Sequence, residues 1–504
     1  MRTVPKKLIA IMALAVVAGT AVIASVFKST NGTKSAPVVF SSGTAATLSR
    51  LDVTAPNCGI VSTAAIVPSS SAWKNFVPPP VGGTYTDPGG YCTVKRITNI
   101  GSGGQMIPIY SLVQAISAGD TKLLLFNGDA AHWNIFDFNG KVVISGAAFD
   151  AATNGNSDDP HWDRSDDAVI WETTGNSIEK CTITMGTPGS ISCAITHTFS
   201  EYSQGVIFPN DSDMNENGWL PMAGQNVAGG QLEIFMFQPS TNSKAGTYAP
   251  PGCTGAINTG QPGCIHRLIS TPNNGMTIEG IGSGQKLWLP PFTGAPVAWN
   301  PSSDHHSVGY AIDGTTLVGV FEDFDAGHTG GPCDWRPVVV GFTNTSTGNC
   351  PITPPGTVNP PPAFGWHVSY MDHATRPWVV WTMMGNGTGP ECFNGESCYA
   401  DPVAWNQPGG NWYPYQAEVV MTRVDSNVAS VGAATTQIYR LALTHARQHD
   451  SSGYYWQDVF APVSWDGKYV VFSSNAAFAQ NPSGCPSGGF SGDCADTYLI
   501  GPLF

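Results

Sequence analysis

Apolar and polar positions along this chain alternate in short bursts that stop at turn-forming residues. The segments "DDPHWDRSDDAVIW" (Asp158 to Trp171), "NDSDMNENGWLPM" (Asn210 to Met222), "DHHSVGYAIDGTTLVGVF" (Asp304 to Phe321) and "DVFAPVSWDGKYVVFSSN" (Asp458 to Asn475) share one layout. A semi-apolar run meets an Asp- or Asn-rich turn, often with Gly, and a second run rich in Val, Leu, Ile and aromatics follows. Such runs joined by a tight turn predict β-hairpins. Hairpins recurring every ~40 to 60 residues are what a β-propeller requires, because one blade cannot bury both faces of its sheet without neighbours. The turn marker places unit starts near Tyr110, Asp158, Asn210, Ile265, Asp304, Trp366 and Asp458, so the expected fold is an all-β, seven-bladed β-propeller. The stretch from Leu51 to Thr98 is expected either to complete the last blade with an N-terminal strand or to cover one end of the channel.

The first residues follow a different pattern. Arg2, Lys6 and Lys7 precede an uncharged apolar stretch, so 1–27 reads as a signal peptide, with a retained membrane anchor as the alternative its length allows. Residues 28–50, rich in Ser, Thr, Gly and Ala, read as a flexible linker, and 51–504 as a single propeller domain. Charged residues are only 12% of the chain, against about 25% in ordinary soluble proteins. With 58 Gly and 39 Pro, this implies many turns, little helix and a surface of neutral polar groups. A formal charge of -14 excludes nucleic acid as a partner, since phosphates demand a basic face.

The 12 cysteines fall into neighbouring couples: Cys58 with Cys92, Cys181 with Cys193, Cys253 with Cys264, Cys333 with Cys350, Cys392 with Cys398, and Cys485 with Cys494. An even count behind an export signal predicts disulfides that staple loops locally, in a secreted, periplasmic or cell-surface protein. Zinc is disfavoured because no CxxC occurs. The segment "SWDGKYVVFSSN", preceded by "IYRLALTH", resembles the WD-like repeats of TolB-type propellers, and the run from about Thr84 to Leu503 is similar to exported bacterial propeller proteins. Seven-bladed oligogalacturonate and ulvan lyases share that architecture, with histidines around a metal or a proton-transfer site. The resemblance to them is of fold and histidine richness, and no lyase motif carries over residue by residue.

Counting back eight residues from each turn reaches His266, His305, His367 and Asp458, and in the second unit Asp159. Equivalent positions in successive blades lie on a ring, so these side chains are candidate ligands for a divalent metal, or innermost polar groups that hydrate the channel. In the catalytic reading, His305 or His367 abstracts a proton beside a uronate carboxylate, and Arg267, Arg376 or Arg447 holds the carboxylate. His445, Arg447 and His449 alternate along one strand face or sit in a solvated loop. Asp211, Asp213, Asn215 and Asn217 match the first half of a calcium loop whose bidentate acid is missing. Trp412, Tyr413 and Tyr415, then Tyr454, Tyr455 and Trp456, form aromatic clusters suited to stacking on sugar rings or to packing beneath loops. There is no GxSxG, no P-loop, no GxGxxG opening a helix and no HExxH. The sequence therefore points first to an exported binding or scaffold module for an extracellular polymer or glycan, with a metal-assisted polysaccharide lyase as the alternative.

Overall fold

In the computed structural model, the runs on either side of each turn pair as antiparallel strands and gather into small sheets that follow one another in chain order. Six sheets carry the four strands of a complete blade. Blade 1 lies within 106–144, blade 2 within 161–198, blade 3 within 205–248, blade 4 within 265–300 and blade 5 within 366–443. Blade 6 combines strands from both parts of the chain: Val470–Ser474 and Asp496–Ile500 with Thr93–Arg96 and Thr84–Thr86. Between blades 4 and 5, the strands His306–Tyr310, Leu317–Phe321 and Trp335–Pro337 form a sheet of three. Among the described residues the complete blades therefore number six, not the seven expected. A hairpin turn marks two strands rather than four, and the turn at Asp313-Gly314 joins the first two strands of a sheet that has three among the described residues.

The structure describes residues 52, 54–62, 66, 68, 76–100, 104–128, 130, 132–153, 160–209, 213–255, 257, 264–280, 284–300, 306–314, 317–321, 335–337, 366–370, 376–383, 417–424, 437–446, 459–476 and 494–504. All belong to one compact unit, 45–504. The expected leader and linker lie outside these residues. Among the described residues there is one α-helix, Gly146–Thr153, and no helix long and apolar enough to cross a membrane.

Burial follows a strand's position in its blade. In blade 3 the second and third strands, Leu220–Gln225 and Leu232–Gln238, are buried almost throughout, because neighbouring sheets pack on both faces. The outer strand of blade 2, Ser190–Thr198, is half-buried or exposed along its length and accordingly carries Ser and Thr. Each seam has its own apolar cluster: Leu124 and Trp133 against Trp162 and Ile170, Trp171 and Phe199 against Leu220 and Phe235, Val320 against Val368 and Trp381. The last seam joins Val471 and Leu499 of blade 6 to Leu123, Leu125 and Phe136 of blade 1, so the sheets close on themselves as an all-β propeller.

Two expected starts, Ile265 and Trp366, are the first residues of their strands, whereas the first strand of blade 3, Gly205–Ile207, begins ahead of Asn210. The N-terminal stretch does complete the last blade, and with two strands rather than one. Disulfides join Cys58 to Cys92, Cys181 to Cys193 and Cys253 to Cys264, as the spacing predicts. Cys494 is also disulfide-bonded, while Cys333, Cys350, Cys392, Cys398 and Cys485 lie outside the described residues.

Candidate functional site

The inner strands meet at the axis, and a stretch of blade 1 occupies it. The inner edge of blade 1 is in two pieces, Met106–Ile107 and a bridge from Ile116 to Leu123, with an inserted crossing between them. Tyr110 in that crossing is 2% exposed and meets side chains from three other blades. The Arg267 guanidinium lies 4.8 Å from its ring centroid, His367 approaches edge-on at 5.3 Å, and Phe460 packs at 5.1 Å. Burying a phenol ring against a cation and two further rings draws on apolar and cation–π terms together, which makes this layer a packed plug.

Beside the plug is a small axial cavity of about 30 Å³, part of it open to solvent. Its polar walls are Ser111, Gln114, Asp213, Ser307 and Ser369, and Leu112, Tyr370 and Trp465 are among its apolar ones. Gln114 fixes the crossing in place: its Nε2 donates to the Val463 carbonyl at 2.8 Å, its Oε1 accepts from the Ile116 N–H at 2.8 Å, and its own N–H donates to Asp213 Oδ2 at 3.1 Å. Ser307 Oγ accepts the Tyr370 N–H at 3.1 Å, and Ser369 Oγ accepts the Val463 N–H at 3.3 Å. Leu112, Asp213 and Trp465 are only half-buried and mark the mouth, where the Arg164 guanidinium sits 5.1 Å over the Trp465 ring.

The expected histidine ring is placed differently. In blade 4 the ladder pairs Ile265 with Gly280 and Arg267 with Glu279, leaving His266 as the extra residue of a bulge. Its Nδ1 lies 2.6 Å from Glu279 Oε1 in its own blade. His367 pairs with Thr382 and is buried between Tyr110 and Phe460. Counted from the last ladder pair before each turn, Ser270, Tyr310 and Tyr370, the positions sharing a register are Arg267, Ser307 and His367. His305 and Asp458 lie outside the described residues; the adjacent His306 turns into the seam with blade 4, where its Nε2 lies 2.7 Å from Thr277 Oγ1. Arg376 bonds Asp52 at 3.1 Å and lies over the Phe504 ring, engaged at the chain ends. Arg447, Trp412, Tyr413, Tyr415, Tyr455 and Trp456 lie outside the described residues. His445 Nε2 is 2.9 Å from Asp87 Oδ1, and its ring stacks on Phe76 at 3.7 Å.

Among the described residues, one group has the composition of a metal site: Glu179, Cys181 and Cys193. Its two sulfurs are joined in a disulfide and offer no thiolate, so the donor set does not fit a metal. The calcium-like run is used locally as well. Asn215 Oδ1 accepts the N–H groups of Asn217 and Trp219, both at 3.0 Å, and its Nδ2 donates to the Thr271 carbonyl at 3.1 Å in blade 4.

Sequence reasoning missed Tyr110, Gln114 and Trp465. The available signal was the inserted "YSLVQ", which separates two apolar runs of one inner strand. It also missed two charge clusters, one buried and one partly exposed. Glu418, held by Arg440 and by the Tyr91 hydroxyl at 2.7 Å, ties the N-terminal segment to blade 5; burial raises its pKa, and the Arg440 bond and charge act against that rise. At the seam between blades 6 and 1, burial and then the Asp466 charge push the Asp120 carboxyl up to about 7.

Neither a protein-family model nor a curated protein matches this chain. Its fold is similar to that of an oligogalacturonate lyase in complex with manganese, at 12% identity and a TM-score of 0.44, over 83% of this chain and 96% of that one. An oligogalacturonate lyase from Vibrio parahaemolyticus gives 10% identity and a TM-score of 0.41 over 83% of this chain and 96% of that one. TolB from Acinetobacter baumannii gives 12% identity and 0.26 over 76% and 63%. At such identities the likeness is one of fold alone.

Proposed function

We propose that this propeller is an exported, non-enzymatic binding or scaffold module that recognises an extracellular polymer or glycan. The axial cavity carries the reading: it is small, walled by hydroxyl and amide groups and the Asp213 carboxylate with aromatic rings beside them, and built from several blades at once. A few polar groups that different blades place around one mouth are enough to orient a ligand that meets it. The disulfides suit an oxidising compartment. Two observations weigh against the lyase reading: His266 is engaged by Glu279, and His367 is packed into the plug. The test is to incubate purified protein with immobilised neutral and uronate-containing polysaccharides, following retention and, in parallel, the ultraviolet absorbance of unsaturated uronate ends. Retention without new absorbance is expected. Turnover on any uronate polymer, lost in His367→Ala, would replace this reading with the lyase.

A further inference from the structure

Around the axis, side chains hand hydrogen bonds from one sheet to the next. Ser369 Oγ of blade 5 accepts the N–H of Val463, a residue bridged to Val470 of blade 6, at 3.3 Å. Ser307 Oγ of the three-stranded sheet accepts the Tyr370 N–H of blade 5 at 3.1 Å. In the other direction, the Val463 carbonyl accepts from Gln114 Nε2 of blade 1 at 2.8 Å, and the Gln114 N–H donates to Asp213 Oδ2 of blade 3 at 3.1 Å. The Asp213 carbonyl accepts from Ser270 Oγ of blade 4 at 2.8 Å. Among the described residues, no direct bond joins the Asp213 carboxylate to Ser307 or Ser369. Each serine oxygen already accepts a backbone N–H, and neither hydroxyl has an acceptor among those residues, so two protons remain to be donated. Asp213 Oδ1 accepts the Met214 N–H at 2.7 Å and Oδ2 that of Gln114, which leaves each oxygen a further lone pair.

The axial cavity lies where that circuit is broken, since Gln114, Asp213, Ser307 and Ser369 all line it. Its volume of about 30 Å³ decides what can stand there. A water needs about 10–15 Å³ of such space and two to four polar partners, so there is room for one or two waters and none for a sugar ring. A metal ion is a poor match. One carboxylate and two hydroxyls supply few of the roughly six to eight oxygens that calcium collects, while Asp213 already has His161 Nδ1 at 3.8 Å and shares the mouth with the Arg164 guanidinium over Trp465. Water matches both sides, accepting from the two serine hydroxyls and donating to the carboxylate. The serines are 5% and 7% exposed, so without such a partner their hydroxyl protons would be buried unpaired, which is costly. We infer that the axial cavity is a structural water site, in which one or two waters held by Ser307, Ser369 and Asp213 close the hydrogen-bond circuit from blade 5 and the three-stranded sheet to blade 3. This site is independent of any polymer that meets the mouth.

Crystal structures of the full chain and of Ser307→Ala/Ser369→Ala, at a resolution that shows ordered solvent, test this. In the wild type, density for one or two waters is expected at ~2.7–3.1 Å from the serine oxygens and from the Asp213 carboxylate. The double variant removes both donors and should lose that density while Gln114 and Asp213 keep their bond; either single variant, expected to lower the occupancy, serves where the pair does not fold. A wild-type cavity without density would overturn the inference, and so would water density that is unchanged in the serine variants. Density with several oxygen contacts of ~2.0–2.5 Å would identify a metal ion and overturn it as well.

Discussion

Asp120 sits in the first turn of blade 1 at φ 53°, in the left-handed region that Asn and Asp tolerate best. Its carboxyl faces Asp466 of blade 6, with Lys468 at 3.9 Å and Asp167 of blade 2 also contributing charge. The folded value of about 7 lies above the ordinary aspartate value near 3.9, so the folded protein holds this proton more tightly than the unfolded chain. The contribution of Asp120 to stability is therefore fully present below pH ~4, declines as pH rises to ~7 and is constant above that. Asp120→Asn keeps the left-handed turn and removes the charge. Its melting temperature should exceed that of the wild type at pH 8, with the gap closing towards pH 5; an equal gap at both values would show that the proton plays no part. Glu418 and Arg440 are fully buried partners, and Arg440→Leu, which strands the carboxylate and the Tyr91 hydroxyl, should cost about 3–5 kcal/mol in denaturant unfolding.

At the scale of elements, the turn between the first and second strands recurs with the same chemistry. Ser117 Oγ accepts the Lys122 N–H, Asp163 Oδ1 those of Ser165 and Asp166, Asn215 Oδ1 those of Asn217 and Trp219, Thr271 Oγ1 that of Gly275, and Ser464 Oγ that of Tyr469. Short polar side chains that bond their own turn explain why the hairpins were legible in the sequence. Registers were not legible, because the capped loops differ in length. Thr271 closes on Gly275 and Ser464 on Tyr469, so counting a fixed number back from the turn slips by one residue. A slip of one turns a side chain to the opposite face of the strand, and the bulge at His266 adds another. His266 misses the register position Arg267 by one residue and His305 misses Ser307 by two, so Arg267 and Ser307 share the register of His367. The same turns also tie neighbouring blades together, since Asn215 and Asn217 both donate to Asn274 Oδ1 of blade 4. Asn215→Ala should therefore cost about 2–3 kcal/mol, against about 1 for Ser464→Ala, in matched urea titrations.

At the scale of the whole molecule, one sheet holds both parts of the chain, and the ring depends on it. Thr93–Arg96 pairs with Asp496–Ile500, and beyond the strand Asp496 accepts from Arg96 Nη2 at 2.6 Å, Thr98 Oγ1 at 3.0 Å and the Ile100 N–H at 2.9 Å. Asp496 is 0% exposed, so removing its cation leaves a buried charge, and Arg96→Ala should cost about 3–5 kcal/mol. The Cys58–Cys92 bond anchors the same segment across a separation of 34 residues, and its loss should cost about 3–4 kcal/mol in the chain-entropy account. The closed geometry makes a further demand. In an open array each unit leans only on its neighbours and frays from an end, whereas a closed ring has no end until the seam opens. Once the seam opens, Leu123, Leu125 and Phe136 of blade 1 and Val471 and Leu499 of blade 6 both lose their cover, and unfolding can spread in both directions. Hydrogen exchange on Arg96→Ala should then show lower protection in Leu232–Gln238 of blade 3, far from the seam, as well as in Asp496–Ile500. Loss confined to blade 6 would mean that the blades are stable without the closed ring.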